Sequence, residues 1–135
     1  MPAAARRGGA GEPAAAAAGG GHHHGAAVAG IISAANGACP GMAPGAVLYH
    51  YKVFTVENQV SYTSFFLDAL DLALHARVDV VSLSVGGPDS EDRPFFDKVR
   101  ELTAAGILVV SAVGNDGLMG STLTPADMVC VLGVG

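Results

Sequence analysis

The sequence has no tryptophan and two cysteines, and only 14% of its 135 residues are charged. Each shortage excludes something. Cys39 and Cys130 cannot form the disulfide framework of a small secreted scaffold, and no Cys-x-x-Cys pair suggests zinc or redox chemistry. Both thiols are therefore expected to be buried. Apolar runs of about 18 uncharged residues, which a spanning helix needs, are missing, so no membrane span is expected in this segment. Basic residues are scarce and scattered. Residues 1–50 hold Arg6, Arg7 and Glu12, whereas residues 51–135 hold five basic and eleven acidic residues, for a net charge of −5 overall. The basic stripe of a nucleic-acid binder is absent.

Half of the residues are hydrophobic and 19 are glycine. That composition is too apolar for a fully disordered chain and too glycine-rich for a helical bundle. Residues 1–21 are Ala/Gly-rich without a leucine-rich segment, so they read as a low-complexity tail rather than a secretory signal. Residues 22–135 read as one folded unit.

Periodicity orders the rest. Residues 25–36 predict a helix with Val28, Ile31 and Ile32 on one face, stopped by Asn36-Gly37. Residues 46–54 predict a strand from their β-branched and aromatic content. Residues 61–77 predict an amphipathic helix, capped by Ser61 or Thr63, with Phe66, Leu70, Ala73 and Leu74 inward and Asp68, Asp71 and His75 outward. Residues 78–85 predict a strand buried on both faces. Pro94 opens a helix over 94–105 that Gly106 ends. Residues 107–113 and 128–134 predict further strands. Helices alternating with strands imply an α/β fold, a parallel sheet with helices on its faces.

Ligands of such sheets gather outside the carboxyl ends of the strands. Two of those ends carry glycine-rich turns, Gly86-Gly87-Pro88-Asp89 and Gly114-Asn115-Asp116-Gly117. Glycine there lets another backbone approach closely, although turn chemistry alone would also select these residues. Gly114, Gly117 and Gly120 do not match a dinucleotide loop, which argues against a nucleotide-binding domain. Adjacent His22, His23 and His24 splay apart and have no nearby carboxylate or thiol, so they make a poor metal site. His50 and His75 read as structural. His24 differs, because it opens a helix whose first residues are small. An imidazole there can take and return a proton near neutral pH.

His24-Gly25-x-x-Val28-Ala29-Gly30, the strand Ser82-Leu83-Ser84-Val85-Gly86-Gly87 and the segment Ser111–Gly117 together resemble the subtilisin-like serine proteases, in family order. The resemblance implies His24 as general base and Asn115 as oxyanion-hole donor. It implies a substrate-binding edge at Ser82, Ser84, Val85, Gly86, Gly87 and Gly114. It also implies protein or peptide substrates, membrane-anchored transcription factor precursors among them, and a place in the Golgi or endoplasmic reticulum lumen. No cofactor is implied for this segment, calcium being a family possibility in the complete enzyme. Ala26 and His23 depart from the family's threonine and glycine. Residues 1–23 contain no aspartate, and the Gly-Thr-Ser turn of the nucleophile does not occur, leaving one triad member of three. The alternative is a peptide-binding module, a fragment or pseudo-protease without chemistry.

Overall fold

The computed structural model describes residues 24–35, 37–55, 60–88 and 91–135. The expected tail over 1–21, together with His22, His23 and Asn36, lies outside the described residues. The chain divides into two compact units, the first running to Lys52 and the second from Val53 to Gly135.

In the first unit, the small apolar residues after His24 form α1 (His24–Ser33). Val28 and Ile32 are half-buried, one turn apart, whereas Ile31 is exposed rather than sharing their face. Helix ends leave backbone carbonyls unsatisfied. Here the chain turns back and supplies donors: Gly41 N–H reaches Ala34 O at 2.8 Å, Met42 N–H reaches Ile31 O at 3.0 Å, and Ala43 N–H reaches Ile32 O at 2.7 Å. The strand expected over 46–54 is not formed among the described residues. β-propensity expresses how well a side chain fits a paired, half-buried surface, and it makes no strand without a ladder.

The second unit holds α2 (Thr63–Ala76), β1 (Val80–Leu83), α3 (Arg93–Ala104), β2 (Leu108–Ala112) and β3 (Leu132–Val134). Its sheet is parallel in the order β1-β2-β3. Neither expected cap opens α2. Tyr62 precedes the helix without a side-chain cap, Ser61 Oγ donates to Val53 O at 2.6 Å, and Thr63 Oγ1 donates to Asp92 Oδ2. Asp92 is the true cap of α3, accepting from Phe95 N–H at 3.2 Å through its other oxygen. One carboxylate thus starts α3 and ties it to α2. Lys98 makes a second tie, with Asp71 Oδ1 at 2.7 Å and Glu101 Oε2 at 2.6 Å.

The core gathers Leu70 from α2, Val99 and Leu102 from α3, Ile107 and Val109 at β2, and Met128, with Val81 and Leu83 of β1 packed against it. Phe66 and Phe95 meet edge-to-face, centroids 5.7 Å apart, across the α2–α3 seam. Because α2 and α3 share this core, the strands alternate instead of being buried on both faces. Val109 is 0% exposed and Ser111 1%, whereas Leu108 and Val80, paired in register on the opposite face, are 48% and 52% exposed. Residues 128–131 form turns, so β3 is shorter than expected. Cys39 and Cys130 sit in a loop and a turn and are exposed, against the expectation of buried thiols.

Candidate active site

β1 and β2 pair from Val80↔Leu108 to Leu83↔Ser111, and the chain leaves the ladder at both carboxyl ends. Ser82 lies within β1 on its exposed face, opposite Val110. Ser84, Val85 and Gly86 continue beyond the strand as irregular backbone. Gly87 stops this excursion through an antiparallel bridge to Thr124, with Gly87 N–H to Thr124 O at 3.2 Å and Thr124 N–H to Gly87 O at 2.9 Å.

The second turn begins where β2 ends. Val113 N–H still bonds Val134 O at 2.9 Å, and then Gly114 takes φ of +109°. A side chain would be strained there, so glycine permits the bend that presents Asn115. Asn115 and Asp116 are exposed. Asn115 therefore stands just past the end of the central strand, one residue beyond the glycine bend. Sheet topology brings together six of the expected residues, Ser82, Ser84, Val85, Gly86, Gly87 and Gly114, with Asn115 at their margin.

His24 is the first residue of α1 and is exposed, in the first unit, as the small-residue helix opening leads one to expect. His50, expected in a strand, lies in loop backbone with its ring against Gly25, where a Cβ would sit 2.9 Å from Nε2. His75 is exposed on α2, its Nδ1 2.8 Å from Asp71 O. Among the serines, Ser121 Oγ donates to Leu118 O at 2.7 Å. Ser111 is buried with its hydroxyl unpartnered among the described residues. Neither stands as an exposed nucleophile.

Two residues that sequence reasoning passed over complete the geometry. Leu123 N–H bonds Val113 O at 3.0 Å, and Thr124 is the bridge partner of Gly87. Residues 123–124 thus link the two glycine turns. Nothing in the string Ser-Thr-Leu-Thr-Pro marks them for this role, since the pairing is wholly non-local. The acidic residues are dispersed: no three His, Cys, Asp or Glu side chains among the described residues are grouped to hold a metal ion.

The peptidase S8 model, described as the subtilase family, matches residues 6–135. The chain belongs to the subtilase family. Membrane-bound transcription factor site-1 protease of Homo sapiens is 54% identical over 109 residues, covering 80% of this chain and 10% of that protein. Subtilisin E of Bacillus subtilis is 35% identical over 113 residues, covering 80% of this chain and 29% of its own length. The solved structure of an S41 psychrophilic protease superposes with a TM-score of 0.69 at 28% identity, over 78% of this chain and 37% of that one. The α/β parallel-sheet fold is thus that of subtilisin-like proteases. The chain spans about a tenth of the length of the site-1 protease it matches.

Proposed function

We propose that this subtilase segment serves a serine endopeptidase of the site-1 protease kind, supplying the general base, an oxyanion donor and the peptide-binding edge. The observation that carries the reading is the convergence of residues 84–87 and 114–115 at the carboxyl ends of adjacent parallel strands. An extended substrate would add as a strand along Ser84, Val85 and Gly86, where glycine keeps the two backbones close. Ser82 and Gly87 bound that edge, and Gly114 lies across from it. Asn115 would point its carboxamide N–H at the oxygen of the tetrahedral intermediate, stabilising charge that exists only in the transition state. His24 would accept the nucleophile's proton and return it to the leaving amine.

The substrates are proteins or peptides, membrane-anchored transcription factor precursors among them, met in the lumen of the secretory pathway. Among the described residues no helix is long and apolar enough to cross a membrane. Family-type contexts for the triad aspartate and serine do not occur in these 135 residues. A second reading, a peptide-binding segment without chemistry, is separated from the first by the variants below.

The test is made in a protease that carries the segment. Asn115→Ala should lower kcat by about 10²–10³ with KM nearly unchanged, a magnitude known from subtilisin, itself a member of this family. His24→Ala should remove nearly all turnover, and His22→Ala and His23→Ala much less. Unchanged kcat in folded Asn115→Ala protein sinks the oxyanion role. A fluorophosphonate probe should leave the 135-residue chain itself unlabelled, because without a nucleophile no acyl-enzyme forms.

A further inference from the structure

We infer that His50 is a positioning residue for His24: its imidazole seats on Gly25 and holds the first turn of α1, which fixes where the His24 ring reaches. The inference rests on the reading of His24 as general base and adds the residue that supports it.

No residue of α1 is buried, so little side-chain packing holds this helix. Segment 41–50 of the same unit holds it at both ends instead. At the carboxyl end, Gly41, Met42 and Ala43 give their N–H groups to the carbonyls of Ala34, Ile31 and Ile32. A Cβ on Gly41 would sit 2.6 Å from Ser33 N and from the Ile32 carbonyl carbon, so the two backbones touch there. Ala43 and His50 are seven positions apart, as are Gly25 and Ile32. On a helix that separation is about 10 Å, whereas the same number of residues in irregular chain reaches up to about 23 Å. The returning chain thus covers the length of α1 with slack and brings His50 to its first turn. There a Cβ on Gly25 would sit 2.9 Å from His50 Nε2 and 3.0 Å from Cε1. The ring occupies the place that a side chain at position 25 would take, which is a physical reason for glycine beside His24.

A general base must come within about 2.6–3.2 Å of the group whose proton it takes. His24 is the first residue of α1 and is exposed, and helix ends fray, so a first turn free to tilt would carry its imidazole out of that range. The seat of His50 on Gly25 opposes the tilt. The contact is steric: it needs the edge of the ring at that depth and not its charge. A misplacement of about 1 Å can cost about 10²-fold in rate.

The kinetic test uses a protease that carries the segment. His50→Ala should lower kcat by about 10–10²-fold with KM nearly unchanged in protein that circular dichroism shows to be folded. His50→Gln, whose amide nitrogen reaches the position of Nε2, should retain kcat within about threefold. Gly25→Ala, which drives a methyl group into the ring, should lose about as much as His50→Ala. In the double variant the methyl group enters the vacated space. The double variant should therefore lose no more than the worse single variant, whereas independent positions would lose the product of the two. In the 135-residue chain itself, nuclear Overhauser contacts between the His50 ring and the Gly25 Hα atoms read the same seat without activity, whichever variants fail to fold. Absence of those contacts, an unchanged kcat in folded His50→Ala protease, or losses that multiply would each overturn the inference. Turnover lost in His24→Ala but kept in His50→Ala removes this inference alone. Turnover that survives His24→Ala removes the general-base reading and the inference with it.

Discussion

The one-sided burial of β2 sets a direct test of the packing. Val109 is 0% exposed against α3, whereas Leu108, its neighbour on the other face, is 48% exposed. Val109→Ala removes two methyl-sized groups, about 1.6 kcal/mol of transfer free energy at about 0.8 kcal/mol each. The cavity it leaves is closed in by Val99 and Leu102, both 0% exposed, and its cost brings the loss to about 2–3 kcal/mol. Leu108→Ala removes three such groups, but with half of the residue already in water the transfer loss is about 1 kcal/mol and no cavity is enclosed. The larger deletion should therefore cost less. Urea titration of the chain, followed by circular dichroism and stabilised with a non-perturbing osmolyte if the variants fall near threshold, measures both. With m of about 1–2 kcal/mol/M, Val109→Ala should lower the midpoint by more than about 1 M and Leu108→Ala by well under that. Equal losses would refute the reasoning, because they would mean that the outer sheet face is as closely packed as the inner one.

The other predictions concern polar groups around the same core. Ser111 is 1% exposed and its hydroxyl finds no partner among the described residues. Leaving such a group unsatisfied costs about 1–3 kcal/mol, so Ser111→Ala should be neutral or raise stability by up to about 1 kcal/mol; a clear loss in the same urea assay would reveal a bond to that hydroxyl. Lys98 is held above its ordinary value of 10.5, first by its hydrogen bond to Asp71 and then by that to Glu101, with partial desolvation opposing. A raised folded value contributes stability that is fully present below 10.5 and fades as pH rises through the folded value. Lys98→Met should therefore lower stability at pH 9 by the small amount that a lysine with half-exposed carboxylate partners supplies, about 0–1 kcal/mol, seen as a small drop in Tm, and the gap from wild type should close well above pH 10.5. A Tm difference that persisted there would assign the effect to packing of the lysine stem.

Helices were the most legible part of this chain, because each carries its own periodicity and stops. α2 and α3 follow from the spacing of Phe66, Leu70 and Leu74 and from Pro94 and Gly106, with their ends moved by one or two residues. The cap of α2 was misassigned because Ser61 and Thr63 spend their hydroxyls on Val53 and Asp92, bonds that cross 8 and 29 positions. Strands depend on partners and were read less well. Residues 46–54 have the composition of a strand and no ladder, while the apolar run over 78–85 is one-sided because α2 and α3 share a single face.

Local sequence singled out the candidates: His24 before a stretch of small residues in the first unit, and glycine at 86, 87 and 114 in the second. Family membership was legible from the same three segments, since their spacing is a property of the chain alone. Tertiary structure decided what those residues enclose. Residue 123 lies about forty positions from Gly86, and only the divergence of β1 from β2, closed by bonds from Val113 and Gly87, brings Leu123 between them. Its position comes from non-local backbone pairing, which leaves no trace in the residues on either side of it.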